Sequence, residues 1–97
     1  MTTRIRVGTS GYTFDDWKGI VYPKSVAGSV LPHYARLFDA VEINTTFYRV
    51  PPPSLFAGML NHVPDDFLFL VKAPKEMTHE RALANRIVDP FMRCIDP

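Results

Sequence analysis

The run Phe67-Leu-Phe-Leu-Val-Lys-Ala73, closed by Pro74, constrains the fold of this chain more than any other feature. It is apolar on both faces, and such a strand needs a layer on each side, as strands of parallel α/β sheets have. Two further stretches alternate like strands. From Arg4 to Ser10, Ile5, Val7 and Thr9 face against Arg4, Arg6, Gly8 and Ser10. From Ala40 to Thr46, Val41, Ile43 and Thr45 face against Glu42, Asn44 and Thr46, and the three prolines Pro51 to Pro53 forbid a central strand beyond.

Helical spacing fills the gaps. Ser29 is a candidate N-cap, Pro32 fits a first turn, and Leu31, Tyr34, Ala35 and Phe38 recur at i, i+3, i+4 and i+7. Ser54 is positioned to cap a second helix carrying Phe56, Met59, Leu60 and Val63 on one side. A third helical stretch runs from about Met77 to Arg93, with Leu83, Ile87 and Phe91 on one side and an interruption at Pro90. Tyr12 to Gly28 shows no period and reads as an ordered loop, anchored by Trp17 and Tyr22-Pro23. The order strand, loop, helix, strand, helix, strand, helix predicts βαβ units on a parallel sheet.

Composition narrows the function classes. Eleven basic residues against ten acidic ones leave a formal charge of +1, which argues against a polyanion such as nucleic acid as the partner. No apolar run reaches the roughly 18 residues of a membrane span, and the start lacks a signal peptide's apolar core, so a cytoplasmic protein is expected. The single cysteine, Cys94, excludes an intramolecular disulfide and a thiolate zinc site. The chain offers no convincing metal-ligand set and names no cofactor.

In parallel α/β folds, chemistry gathers where strands end. The first strand ends in Gly8-Thr-Ser-Gly-Tyr12, the second in Glu42-Ile-Asn-Thr-Thr-Phe-Tyr-Arg49 and the third in Lys72-Ala-Pro-Lys75. Glu42 and Asn44, two apart, share a face. Lys72, among apolar residues, should be desolvated or paired, and Glu42 is its obvious partner. That pair reads either as a buried structural ion pair or as an acid/base and anchoring set. Gly8 and Gly11 around Thr9-Ser10 fit either a small anion-binding turn or a plain tight turn; the spacing matches neither a P-loop nor a dinucleotide fingerprint. Tyr12, Phe14, Trp17, Phe47 and Tyr48 put rings above the strand ends, to stack on a ligand or to cap the sheet. His79, after the third strand, is a proton shuttle, a ligand or a solvated helix-start residue.

These motifs resemble a known family. Ile5 to Tyr12 (Ile-Arg-Val-Gly-Thr-Ser-Gly-Tyr), Asp16-Trp17-Lys-Gly, Tyr22-Pro23, Phe38 to Arg49 (Phe-Asp-Ala-Val-Glu-Ile-Asn-Thr-Thr-Phe-Tyr-Arg), Pro64-Asp-Asp-Phe67, Val71-Lys-Ala-Pro74 and Thr78-His79 together resemble the DUF72, or YecE-like, family. Tyr12 stands where that family more often has tryptophan, and Thr45 where it often has serine. The resemblance implies a TIM-type (β/α)8 barrel of unknown function, compared with sugar isomerases on fold grounds alone. Its matched polar positions are Glu42, Asn44, Lys72 and His79.

Such barrels run to about 250 residues, so the expectation for residues 1–97 is the N-terminal three βα units of one barrel domain, with parallel strands. The parent barrel is expected to be an enzyme on a small, sugar-like or phosphorylated molecule. Glu42, Lys72 and His79 are the candidate catalytic groups, and Ser10, Tyr12, Asn44, Phe47 and Tyr48 the candidate substrate-binding groups. The alternatives are a noncatalytic ligand- or nucleic-acid-binding protein and an inactive truncated product. A partial barrel exposes a sheet edge, and self-association through it is expected.

Overall fold

Three short strands lie parallel in sequence order: Gly8–Ser10 (β1), Ala40–Ile43 (β2) and Leu68–Val71 (β3), with β2 in the middle. The computed structural model describes residues 4–79 and 85–96. Register places Ser10 beside Glu42 and Glu42 beside Leu70. The close pairing of β1 with β2 depends on Gly8, because a Cβ there would stand 2.0 Å from the Ala40 carbonyl oxygen. This is the expected α/β arrangement of parallel strands alternating with helices.

The first strand is shorter than the Arg4–Ser10 pattern predicts. Before Gly8 the neighbouring chain meets it with a side chain: the Val7 amide donates to Asp39 Oδ1 at 2.6 Å, and Val7 O accepts the Asp39 amide at 3.2 Å. Below that point Arg4 pairs with the Asp66 carboxylate at 2.8 Å and Arg6 donates to the Asp66 carbonyl, tying the start of the chain to the entry of β3. The Arg4 hydrogen bond holds the Asp66 carboxyl below its ordinary value.

The helices are Leu31–Tyr34 (α1), Pro53–Leu60 (α2), Lys75–Thr78 (α3) and Asn85–Ile95 (α4). Val30, not Ser29, occupies the cap position of α1, and Ser29 Oγ accepts the Leu31 amide at 3.1 Å from one residue further out. The helix lasts one turn rather than continuing to Phe38, because the chain must reach β2 by Ala40. Ala35 and Phe38 still pack on the core through hydrogen-bonded turns. Pro53, not a capped Ser54, opens α2, since proline at a first helical position gives up no bonded amide. The single helix expected from Met77 to Arg93 is instead α3 and α4. Pro90 lies inside α4 rather than ending it, while Leu83 falls outside the described residues.

One side of the sheet carries the core, where Leu31, Tyr34, Val41, Ile43, Phe56 and Cys94 are buried. Burial pushes the Cys94 thiol above its ordinary value, as expected for a passive packed sulfur. None of the described residues covers the other side. Leu68 and Leu70 are exposed, Leu70 by 53%, so β3 is not covered on both faces as its sequence predicts. The second layer its apolar residues require is not supplied by these residues. Among the described residues no helix is long and apolar enough to cross a membrane.

Tyr34 joins α1 to both strands it covers. Its ring packs against Tyr12, Trp17, Phe38 and Phe67, and its hydroxyl donates to the Ala40 carbonyl at 2.8 Å while accepting the Thr9 amide at 2.9 Å. Tyr34→Phe keeps the packing but strands a buried carbonyl and a part-buried amide. It should lower the unfolding free energy by about 2 to 3 kcal/mol in urea titrations, and a loss under about 0.5 kcal/mol would contradict this role.

Candidate functional site

Parallel strands with a common register end together, and here the ends of β1, β2 and β3 set polar groups side by side. Ser10 closes β1 beside Glu42, and Asn44, one residue past β2, donates from Nδ2 to Ser10 Oγ. Gly11 turns the chain away with φ of +81°, in the left-handed region that glycine favours, and its amide donates to the Glu42 carbonyl at 2.9 Å. Lys72 follows β3, its amide bonded to the Ile43 carbonyl at 3.0 Å. Glu42, Asn44, Ser10 and Lys72 therefore sit at one end of one face, as the two-residue alternation predicts.

Past Asn44 the strand pattern fails. Thr45–Phe47 is a 3-10 turn, which exchanges the two threonines: Thr45 is exposed and Thr46 is completely buried. Thr46 Oγ1 donates to the Lys72 carbonyl at 2.6 Å, pinning the turn after β2 to the end of β3. That pin fixes the adjacent Phe47. Lys72 Nζ lies 4.3 Å from the Phe47 ring centroid, His79 meets the same ring edge to face at 5.0 Å, and Tyr48 does so at 5.2 Å. His79 Nδ1 is 2.8 Å from Thr78 Oγ1.

The expected ion pair between Glu42 and Lys72 is absent. Both line one hollow, yet among the described residues neither takes an ion-pair partner. The reason is the uncovered face of β3: Lys72 is exposed, so its ammonium stays hydrated and rests on an aromatic face instead of being forced onto a carboxylate. Glu42 is half-buried, with no side-chain hydrogen bond among the described residues. A carboxylate without structural work beside a hydroxyl, an amide and an ammonium is equipped to accept a proton or to hold a hydroxylated ligand.

The Thr9-Ser10 turn resolves as a structural turn. The Thr9 amide goes to Tyr34, the Thr9 hydroxyl to the Gly11 carbonyl at 2.6 Å and the Gly11 amide to Glu42. A bound anion would find these donors already engaged. Tyr12 is half-buried, and burial raises its phenol above the ordinary value. With Ser10, Glu42 and Asn44 it lines a hollow of about 440 Å³. Leu55 and Met59 of α2 form its apolar wall, a contribution the sequence reading missed because their spacing signals only a helix face. Phe14 and Trp17 pack together, and the Tyr22 hydroxyl bonds both backbone groups of Phe14, so the loop is held by its own rings. Phe47 and Tyr48 stand on the Lys72 side, away from Tyr12's hollow.

A family model described as "Protein of unknown function DUF72" matches residues 6–97. The UPF0759 protein YecE of Escherichia coli (strain K12) is 36% identical over 69 residues, covering 69% of this chain and 25% of that protein. The UPF0759 protein YunF of Bacillus subtilis (strain 168) is 32% identical over 78 residues, covering 79% of this chain and 27% of its own. The crystal structure of a DUF72 family protein from Enterococcus faecalis V583 matches with a TM-score of 0.65 at 19% identity, over 95% of this chain and 33% of that one. The chain thus spans about a quarter of the length of these curated relatives.

Because Thr46 is the pin between two strand ends, Thr46→Val should cost about 1 to 2 kcal/mol of stability and shift the NMR signals of Phe47 and Lys72. Unchanged stability and unchanged signals there would remove the pin from the account.

Proposed function

This chain belongs to the DUF72 family, and we propose that it forms the N-terminal three βα units of a single barrel domain. The barrel is an enzyme acting on a small hydroxylated molecule, sugar-like or phosphorylated, at the carboxyl ends of its strands. One observation carries the reading: Glu42, half-buried and without a side-chain hydrogen bond or ion pair among the described residues, stands at the strand ends with Ser10, Asn44 and Lys72. Glu42 moves the proton, Asn44 and Ser10 hold ligand hydroxyls, Lys72 and His79 supply cationic or proton-carrying groups, and Tyr12, Phe47 and Tyr48 wall the site. The charge of +1 weighs against nucleic acid as the ligand, and the composition fits a cytoplasmic protein.

A second reading is favoured by the exposed Leu68 and Leu70 and by the outer edges of β1 and β3, which lack strand partners among the described residues. On that reading the 97 residues alone are inactive and self-associate through a sheet edge.

In a full-length DUF72 protein, exchanging the carboxylate that matches Glu42 for its amide should reduce turnover, across a panel of aldoses, ketoses and their phosphates, at least ~100-fold. The melting temperature should stay within a few degrees. Loss of folding with no specific loss of ligand would make the carboxylate structural, and sedimentation of the 97-residue chain as a monomer at high concentration would dispose of the second reading.

A further inference from the structure

The chemistry proposed above gives Lys72, His79 and Phe47 only general roles, and their arrangement is more specific than those roles require. Two nitrogen-bearing side chains, from different elements, rest on a single ring. Lys72 leaves β3 and lies over the Phe47 face; His79 follows α3 at its C-cap and meets Phe47 edge to face. The turn that carries the ring is pinned by the buried Thr46 hydroxyl donating to the Lys72 carbonyl, so platform and ammonium are set by the same hydrogen bond. Neither nitrogen group is consumed by the fold. Lys72 forms no ion pair among the described residues, and an ammonium has three donors, of which a ring face occupies at most one direction. Thr78 Oγ1 engages His79 at Nδ1, and when that hydroxyl donates, the ring proton sits on Nε2 and is available to a ligand.

We propose that Lys72 and His79, seated on Phe47, form the binding subsite for a phosphate monoester group, so that the substrate is a phosphorylated rather than a neutral hydroxylated molecule. This rests on the strand-end site proposed above and fixes the orientation of the ligand within it. An ammonium and an imidazole are point donors, suited to a compact anion with several acceptor oxygens, whereas a planar carboxylate is best matched by a guanidinium fork. Glu42 supplies the second constraint. Its carboxylate lines the same hollow as Lys72 and repels a dianion, so the phosphate lies on the Phe47 side of Lys72 while the hydroxylated end of the ligand extends over Glu42, Asn44 and Ser10. Charge thus sorts the two ends of the ligand across a distance of one strand.

The test is an NMR titration of the 97-residue chain at fixed pH and ionic strength, with inorganic phosphate, glycerol phosphate and glucose as separate probes. The expected result is saturable shifts at Lys72, His79 and Phe47 with both phosphates, weakened about tenfold or more by Lys72→Gln. Lys72 is exposed, so the rest of the K72Q spectrum should superimpose on that of the parent. His79→Gln should weaken both phosphates as well, and Phe47→Leu, which keeps an apolar side chain without a π face, should do so more mildly. Phosphate shifts that are absent, or that persist undiminished in Lys72→Gln, overturn the proposal. Glucose shifting Ser10, Glu42 and Asn44 while neither phosphate shifts the Phe47 platform would overturn the phosphate subsite and leave the strand-end site standing. Phosphate shifts at the platform without any effect of glycerol phosphate on Glu42 or Asn44 would uphold the subsite and count against the strand-end chemistry.

Discussion

A single buried phenol organises this sheet. The Tyr34 hydroxyl meets the Ala40 carbonyl of β2, the Thr9 amide of β1 and the Thr9 hydroxyl, which itself reaches the Gly11 carbonyl. With the Tyr34 proton on the Ala40 carbonyl and the Thr9 proton on the Gly11 carbonyl, no hydroxyl proton is left between the two side chains, so the bond from β1 to Tyr34 requires the Thr9 amide as its donor. That requirement locks the level of β1 against β2, and Gly8 permits it by admitting the Ala40 carbonyl where any Cβ would collide. The surrounding rings bury the bond from Tyr34 to the Ala40 carbonyl, which makes it costly to lose, while the Thr9 contacts are part-buried.

From that lock the rest of the geometry follows. With β1 and β2 held in register, Ser10 falls beside Glu42 and Asn44 reaches Ser10. With β2 and β3 paired from Ala40–Leu68 to Ile43–Val71, Lys72 emerges next to the turn that carries Phe47. The core side chains lie on one face and the polar strand ends open from the other. A site built this way needs no long-range coupling, only that three short strands stop at the same level.

Much of this was legible from residue order. Alternation at Ala40–Ile43 and the apolar run at Leu68–Val71 located two strands within a few residues, and two-residue spacing correctly placed Glu42 and Asn44 on a common face. The candidate residues at the strand ends fall into two groups, Ser10, Tyr12, Glu42 and Asn44 around one hollow and Lys72, Tyr48 and His79 around the Phe47 ring. What failed did so for tertiary reasons. Lys72 looked buried because its neighbours are apolar, but Leu68 and Leu70 face an uncovered side, so no carboxylate was needed to neutralise it. Thr45 and Thr46 exchanged places because a 3-10 turn begins where a strand period was extrapolated. The Tyr34 hydroxyl left no trace in sequence, since a tyrosine at a core position reads the same as a phenylalanine.

Family membership and fold agree with this architecture, and the account's central claim is that the three strand ends are held level within these 97 residues. Amide hydrogen exchange on the chain tests it most directly. Three amides report on the three links: Thr9 bonded to the Tyr34 hydroxyl, Gly11 to the Glu42 carbonyl and Lys72 to the Ile43 carbonyl. All three should exchange at least ~100-fold more slowly than in the unfolded chain, with similar protection, as members of one cooperative unit. Exchange of these amides at unfolded rates would contradict the claim.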